Sequence, residues 1–283
     1  MSELVLSKVS TLLHEDIVGN QPHGGGCIAD SRIITTSTGM KYFLKQGGTS
    51  NMFVNEANGL REIALSNTIL TPKVVGVDND FLLLDYIEQG PKTSETLFDL
   101  GCDLARMHQF TAARYGFYED NFIGGNPQIN TMSDSWADFY FNKRLKYQYQ
   151  LSKRKGSLTP ELQSKFIALE KVFHRILQDS EEKPSLLHGD LWAGNYLINK
   201  NGKGVLIDPA VYYGHREADI AMTKLFGGFS PEFYQGYNST FPLKSGYEYR
   251  ENIYLLYHVW NHLNLFGTGY YSQTINLMDF YIR

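Results

Sequence analysis

The sequence predicts an α+β chain of two lobes: a small β-rich N-terminal lobe with one helix and a larger, mainly helical C-terminal lobe. Three observations carry that expectation. A length of 283 residues is long for one compact unit. Strand-like patterning is concentrated between His23 and Ile87, and apolar residues at helical spacing dominate after Pro91. The expected division puts residues 1–88 in the first lobe and 89–283 in the second.

Taken in order, Leu4, Leu6, Val9, Leu12 and Leu13 predict a short amphipathic opening helix. Gly24-Gly25-Gly26 then forms a glycine-rich turn leading into a strand at Arg32–Thr36. A turn at Ser37-Thr38-Gly39 and a second strand at Lys41–Lys45 complete a hairpin. Apolar spacing predicts a helix over about 51–66, and strands at Lys73–Val77 and Phe81–Ile87 flank the Asp78-Asn79-Asp80 turn. Gly90-Pro91 closes the lobe, since neither residue sits easily in a strand. Beyond it, Leu97, Leu100, Leu104 and Met107 predict a helix over Thr93–Phe110. Thr159-Pro160 reads as an N-cap with proline at the first helical position. The apolar face of that helix is Leu162, Phe166, Leu169, Phe173, Ile176 and Leu177.

Hydrophobic content of 42% and charged content of 20% describe a globular protein able to bury a core. A net charge of -4 gives no nucleic-acid footprint, and the basic run from Lys143-Arg144 to Lys153-Arg154-Lys155 reads as a solvated helix face. Two cysteines, Cys27 and Cys102, make no disulfide framework and predict a reducing compartment. No basic leader opens the chain, and no window approaches the ~18 apolar residues of a membrane span. The expectation is a cytoplasmic protein without membrane or nucleic-acid partners.

The chemistry is concentrated in Leu187-His188-Gly189-Asp190-Leu191-Trp192-Ala193-Gly194-Asn195, followed by Val205-Leu206-Ile207-Asp208-Pro209. Phosphoryl transfer from a nucleotide needs one carboxylate to orient the acceptor hydroxyl and hard oxygen ligands for Mg²⁺. Asp190 is the candidate for the first role, and Asn195 and Asp208 for the second. The Asp-x-x-x-x-Asn spacing equals that of the protein-kinase catalytic loop. Gly24, Gly25 and Gly26 would let backbone amides approach phosphates without Cβ interference, and Lys45, at the end of the hairpin, could reach the α- and β-phosphates. Phe53, Leu60 and Ile63 stand at i-3, i+4 and i+7 from Glu56, so its carboxylate is expected on the inward stripe. A buried lone charge costs several kcal/mol, so Glu56 needs a cation, and Lys45 is the natural one. Glu62 is expected in solvent. Asp85, Tyr86 and Ile87 are the expected hinge, where backbone groups would bind the adenine edge. Asp219 either braces the catalytic loop or caps its helix. His258 and His262 lack the zincin glutamate and read as pocket wall or core rather than a metal pair.

At these residues the chain resembles the fructosamine kinase (ketosamine-3-kinase) family. The resemblance rests on His188–Asn195, Ile207-Asp208-Pro209-Ala210 and Tyr213-Gly214-His215-Arg216-Glu217-Ala218-Asp219. It extends to Gly24–Ile28, Gly116-Phe117 with Asn121, Gln128-Ile129-Asn130, Trp136 with Phe139, and His262–Gly267. Trp192 and the Gly-His-Arg-Glu run separate it from the related aminoglycoside and choline phosphotransferases. The resemblance implies a bilobal protein-kinase-like fold and ATP- and Mg²⁺-dependent phosphorylation of the 3-hydroxyl of a ketosamine, after which the adduct breaks down and frees the amine. The implied partner is a glycated amine or glycated protein lysine, and the chain would act as a monomer or homodimer. Asp208 is followed by Pro209-Ala210 rather than Phe-Gly, and no Ala-Pro-Glu follows, so no activation-loop switch is expected. Cys27 has two open readings: a small residue that fits the loop, or an oxidation-sensitive thiol beside the phosphates.

Overall fold

A computed structural model describes residues 3–24, 29–48 and 51–282. Helix α1 (Glu3–Leu13) leads into a five-stranded antiparallel sheet of β1 (Ile17–Pro22), β2 (Asp30–Thr36), β3 (Lys41–Gln46), β4 (Val74–Val77) and β5 (Phe81–Asp85), with α2 (Met52–Leu65) between β3 and β4. The strand order is β1-β2-β3-β5-β4. Side chains alternate across the sheet, so the unbroken apolar run Phe81-Leu82-Leu83-Leu84 serves both faces. Phe81 and Leu83 join Val5 and Val9 of α1, whereas Leu82 and Leu84 join Phe53, Ala57 and Leu60 of α2. Being covered on both sides is why β5 reads as continuous hydrophobics rather than alternation.

The strand β1 is absent from the sequence reading. It is a mostly exposed edge strand of composition Ile-Val-Gly-Asn-Gln-Pro, and among the described residues it pairs with β2 alone. Its polar composition gives no periodic signal. Gly24 therefore belongs to a β1–β2 connection, not to a turn opening the sheet; Gly25, Gly26, Cys27 and Ile28 lie outside the described residues.

The remaining chain is mainly helical: α3 (Ser94–His108), α4 (Trp136–Phe139), α5 (Lys146–Arg154), α6 (Pro160–Ile176), α7 (Glu217–Leu225), α8 (Pro231–Thr240), α9 (Tyr247–Phe266) and α10 (Tyr271–Ile282). Thr93 caps α3 through a reciprocal bond with Thr96, and Thr159 caps α6 with Pro160 inside the first turn, as the sequence predicts. At the α3–α8 crossing the backbones touch: a Cβ on Gly101 would stand 2.0 Å from the Phe233 carbonyl oxygen. Among the described residues no helix is long and apolar enough to cross a membrane.

Between α4 and α5 the chain makes a π-helical turn, Tyr140–Leu145. This turn overturns the expectation of a solvated basic face at Arg144. Its side chain is fully buried, with the guanidinium 4.1 Å from the Tyr212 ring centroid and bonded to the Ile129 carbonyl and Asn130. Extra backbone in the turn aims one residue of an otherwise basic run inward.

Three two-stranded antiparallel sheets lie among these helices: β6 (Asn121–Ile123) with β7 (Asn126–Gln128), β8 (Ser185–Leu187) with β11 (Tyr212–Gly214), and β9 (Tyr196–Ile198) with β10 (Gly204–Leu206). The loop from β8 to β9 carries Asp190 and Asn195, and the connection from β10 to β11 carries Asp208.

Candidate active site

Glu56 faces inward from α2, beside Phe53, Leu60 and Ile63, all buried. Its Oε1 accepts from Lys45 Nζ at 2.8 Å, and the same ammonium is bonded to Asp208. One lysine on the sheet thus joins the α2 carboxylate to the β10–β11 carboxylate. Burial by itself would lower the Lys45 ammonium, but Glu56 and Asp208 overrule it and hold the group above its ordinary value. Burial pushes the Glu56 carboxyl upward, with Asp208 adding to the rise and Lys45 opposing it.

The two loops bearing acidic groups are fastened to each other. Asn195 donates from Nδ2 to the Asp190 carbonyl at 2.8 Å and lies 3.4 Å from Asp190 Oδ2. The Ile207 amide donates to the Asn195 carbonyl, and the Ala210 amide to the His188 carbonyl. His188 accepts from the Asp190 amide at Nδ1, which leaves Nε2–H to donate to the Ile207 carbonyl at 2.8 Å. Gly189 has φ +82°, and a Cβ there would meet the Ala210 carbonyl oxygen at 2.0 Å. Asp208 itself takes φ +55°, a left-handed conformation uncommon for a non-glycine residue.

Beneath the loop, Asp219 on α7 accepts from the His188 and Gly189 amides at 2.7 and 2.9 Å, and from His108 at 3.2 Å. Of the two readings of Asp219, the brace is the one observed. Burial would raise its carboxyl, but bonds from His108 and the backbone bring it below the usual aspartate value. His108 had no signal in the sequence; only the packing of α3 brings it beneath the loop, where it also bonds Tyr237. Asp190 is pushed up to about 7 by burial first, then by the nearby Asp208 and Asp219 charges, against the opposing Asn195 bond.

The Asp85 carboxylate accepts from the Lys73 amide, tying off the end of β5, while Lys41 stands 5.8 Å from the Tyr86 ring centroid and Ile87 is half-buried. Just beyond, the Glu88 carbonyl and Gly90 amide bond to Lys200 and Ile198, so 85–87 spans the sheet and β9. Glu62 departs from expectation: it is half-buried and accepts from the Tyr213 hydroxyl at 2.7 Å. His258 is buried, and His262 stands among Phe226, Phe266 and Tyr270. Among the described residues no cluster of three His, Cys, Asp or Glu forms. Trp192 is 38% exposed and faces Phe226 edge-on.

The fructosamine kinase family profile matches residues 1–283. The chain belongs to the fructosamine kinase family. A Synechocystis protein named a probable ketoamine kinase is 40% identical over 266 residues, covering 92% of this chain and 88% of that one. The chloroplastic protein-ribulosamine 3-kinase of Oryza sativa subsp. indica is 38% identical over 277 residues, 94% of this chain and 80% of its own. A crystal structure from Thermobifida fusca, whose name carries fructosamine-3-kinase as a provisional assignment, superposes with a TM-score of 0.90 at 29% identity, covering all of both chains. The two-part α+β architecture is therefore that of the family.

Proposed function

We propose that this protein transfers the γ-phosphoryl group of ATP to the 3-hydroxyl of a ketosamine, a sugar joined to an amine by glycation, so that the adduct breaks down and the amine is released. The observation carrying the reading is the Lys45 bridge between Glu56 and Asp208, set beside the Asp190–Asn195 loop, in a chain whose named relatives are ketoamine and ribulosamine kinases.

In this reading Asp190 orients the attacking hydroxyl; a loose transition state asks little proton transfer of it until late. Lys45 holds the α- and β-phosphates, Glu56 holds Lys45, and Gly24, Gly25 and Gly26 cradle the phosphates with backbone amides. Asp85, Tyr86 and Ile87 meet the adenine edge. Asn195 and Asp208 hold Mg²⁺, and the donor set fits. With Nδ2 committed to Asp190, the Asn195 Oδ1 is left to coordinate; Asp208 gives one oxygen to Lys45 and keeps the other. One carboxylate plus one amide suits an ion that takes the rest of its shell from phosphates and water. When bound, Mg²⁺ supplies charge neutralisation for the transferring phosphoryl group. The acceptor is a glycated amine, free or on a protein lysine, and the expected compartment is the cytoplasm.

The test is incubation with Mg-ATP and ribulosyl-, erythrulosyl- and fructosyl-lysine, with kanamycin and choline alongside, followed by NMR of the product. Phosphate on the sugar C3 oxygen is expected. Turnover of kanamycin or choline alone would replace the proposal with the aminoglycoside or choline phosphotransferase reading.

A further inference from the structure

No Ala-Pro-Glu follows Asp208, and the residue stands at φ +55°. Aspartate enters the left-handed region more readily than most non-glycine residues, but it is held there only where its surroundings fix the backbone. The surroundings here are specific. Gln128 Nε2, from β7, donates to the Ala210 carbonyl at 2.9 Å, and Asn121 Nδ2, from β6, donates to the Val211 carbonyl at 2.8 Å. These are the second and third residues after Asp208. The two amides are joined, since Gln128 Nε2 also donates to Asn121 Oδ1 at 2.9 Å, which further accepts from Asn130. Asn130 in turn receives the buried Arg144 guanidinium at 2.8 Å, and Gln128 Oε1 receives the Tyr257 hydroxyl at 2.8 Å.

All these side chains are buried, with Gln128 1% and Asn130 0% exposed. A buried amide left unpaired forfeits its solvation with nothing in return, so each group here has one low-energy setting. Pro209 and Val211 are gripped from the opposite side by α2, where a Cβ on Gly59 would approach both to 3.2 Å. The helix holding Glu56 and the hairpin holding Gln128 therefore close on the same short stretch of backbone.

We propose that Gln128 and Asn121 are positioning residues: a buried amide clasp that fixes the backbone after Asp208 and so sets the aim of its carboxylate, a permanent substitute for a switchable segment. The proposal rests on Asp208 being a metal ligand. The clasp touches neither nucleotide nor metal. Its loss should weaken metal coordination while leaving metal-free nucleotide binding alone, as outer-shell partners of ligands commonly do.

The test measures AMP-PNP affinity by calorimetry in EDTA and in excess Mg²⁺ for the wild type and four variants, one of them a stand-in, with thermal unfolding in parallel. Gln128→Met keeps the volume and removes the amide. It is expected to leave metal-free affinity within about twofold and to cut the Mg²⁺ enhancement on the order of tenfold. Asn264→Leu, which breaks the separate buried amide contacts to Gln148 and Ser152, should lower the melting temperature and keep the full enhancement. Should Gln128→Met fail to fold, Tyr257→Phe loosens the clasp by one hydroxyl and must show a smaller loss of the same kind. Wild-type enhancement in Gln128→Met, or in Tyr257→Phe where that variant stands in, overturns the clasp. Asp208→Asn separates the two ideas. Enhancement lost in Asp208→Asn but intact in the clasp variant overturns the clasp alone, whereas enhancement retained in Asp208→Asn overturns the metal-ligand assignment beneath it.

Discussion

The buried arginine–glutamate pairs and the pairs made by Lys45 are built differently. In the helical part, Arg250 meets Glu217 through two bonds, at 2.8 and 2.5 Å, and Arg216 meets Glu182 at 2.8 and 3.0 Å while also donating to the Phe241 and Pro242 carbonyls. Arg216 is nearly saturated by planar, bidentate partners. At the candidate active site, Lys45 is a point charge shared by two carboxylates from different elements, and the side chain of one of them, Asp208, is 43% exposed. A guanidinium fork locks geometry, whereas an ammonium with rotatable donors exchanges one oxygen for another at small cost. The fork suits a fixed core; the shared lysine suits a site that must accept phosphate oxygens.

The largest test of the contrast is at the candidate active site. Asp190→Ala is expected to lower kcat on the order of 10²–10⁴ with an unchanged circular dichroism spectrum, the usual contribution of a positioned acid or base. Wild-type turnover would remove Asp190 from the reaction. On the core side, Arg250→Met should cost about 3–5 kcal/mol in urea unfolding, because it strands Glu217. Adding Glu217→Leu should recover much of that, and the folded double variant should keep the wild-type KM for ATP. If Lys45→Met proved as destabilising as Arg250→Met, the contrast would collapse. The expectation is a loss in kcat/KM for ATP on the order of 10²–10³, typical of removing one charge stabiliser, with a much smaller change in stability, because the Glu56 carboxyl, which burial already pushes upward, takes a proton once Lys45 is gone.

Two pH effects are smaller. Asp190 has its carboxyl pushed up to about 7 and must be ionised to steer a hydroxyl, so kcat/KM should fall as pH drops through that value. Mg²⁺ beside Asp208 would offset one repelling charge and move this limb downward; Asp190→Asn should abolish it. For stability the sign reverses. The folded carboxyl keeps its proton to higher pH than the unfolded chain, whose value is about 3.9. Stability is therefore lost as pH rises from about 4 through about 7. Asp190→Asn should raise the melting temperature by about 2 °C at pH 8 and leave it little changed at pH 4.

Local rules settled much of this protein before any coordinates. Alternation and helical spacing placed β2, β3, α2, β4, β5, α3 and α6. The inward position of Glu56 followed from the residues three, four and seven places away, and the spacing of Asp190, Asn195 and Asp208 pointed to phosphoryl transfer. These features depend on neighbours within a few turns, which is why a linear pattern can carry them. Other features depended on partners far away in the chain. The π-helical turn aims Arg144 at Tyr212, and Glu62 meets Tyr213 across 151 positions; the edge strand β1 pairs with its neighbour β2 but is too polar to show a period. The bracing of the Asp190 loop by Asp219 and His108, and the amide grip after Asp208, are likewise tertiary. Hydrogen bonds between residues tens of positions apart leave no period in a sequence, so only the folded chain could decide them.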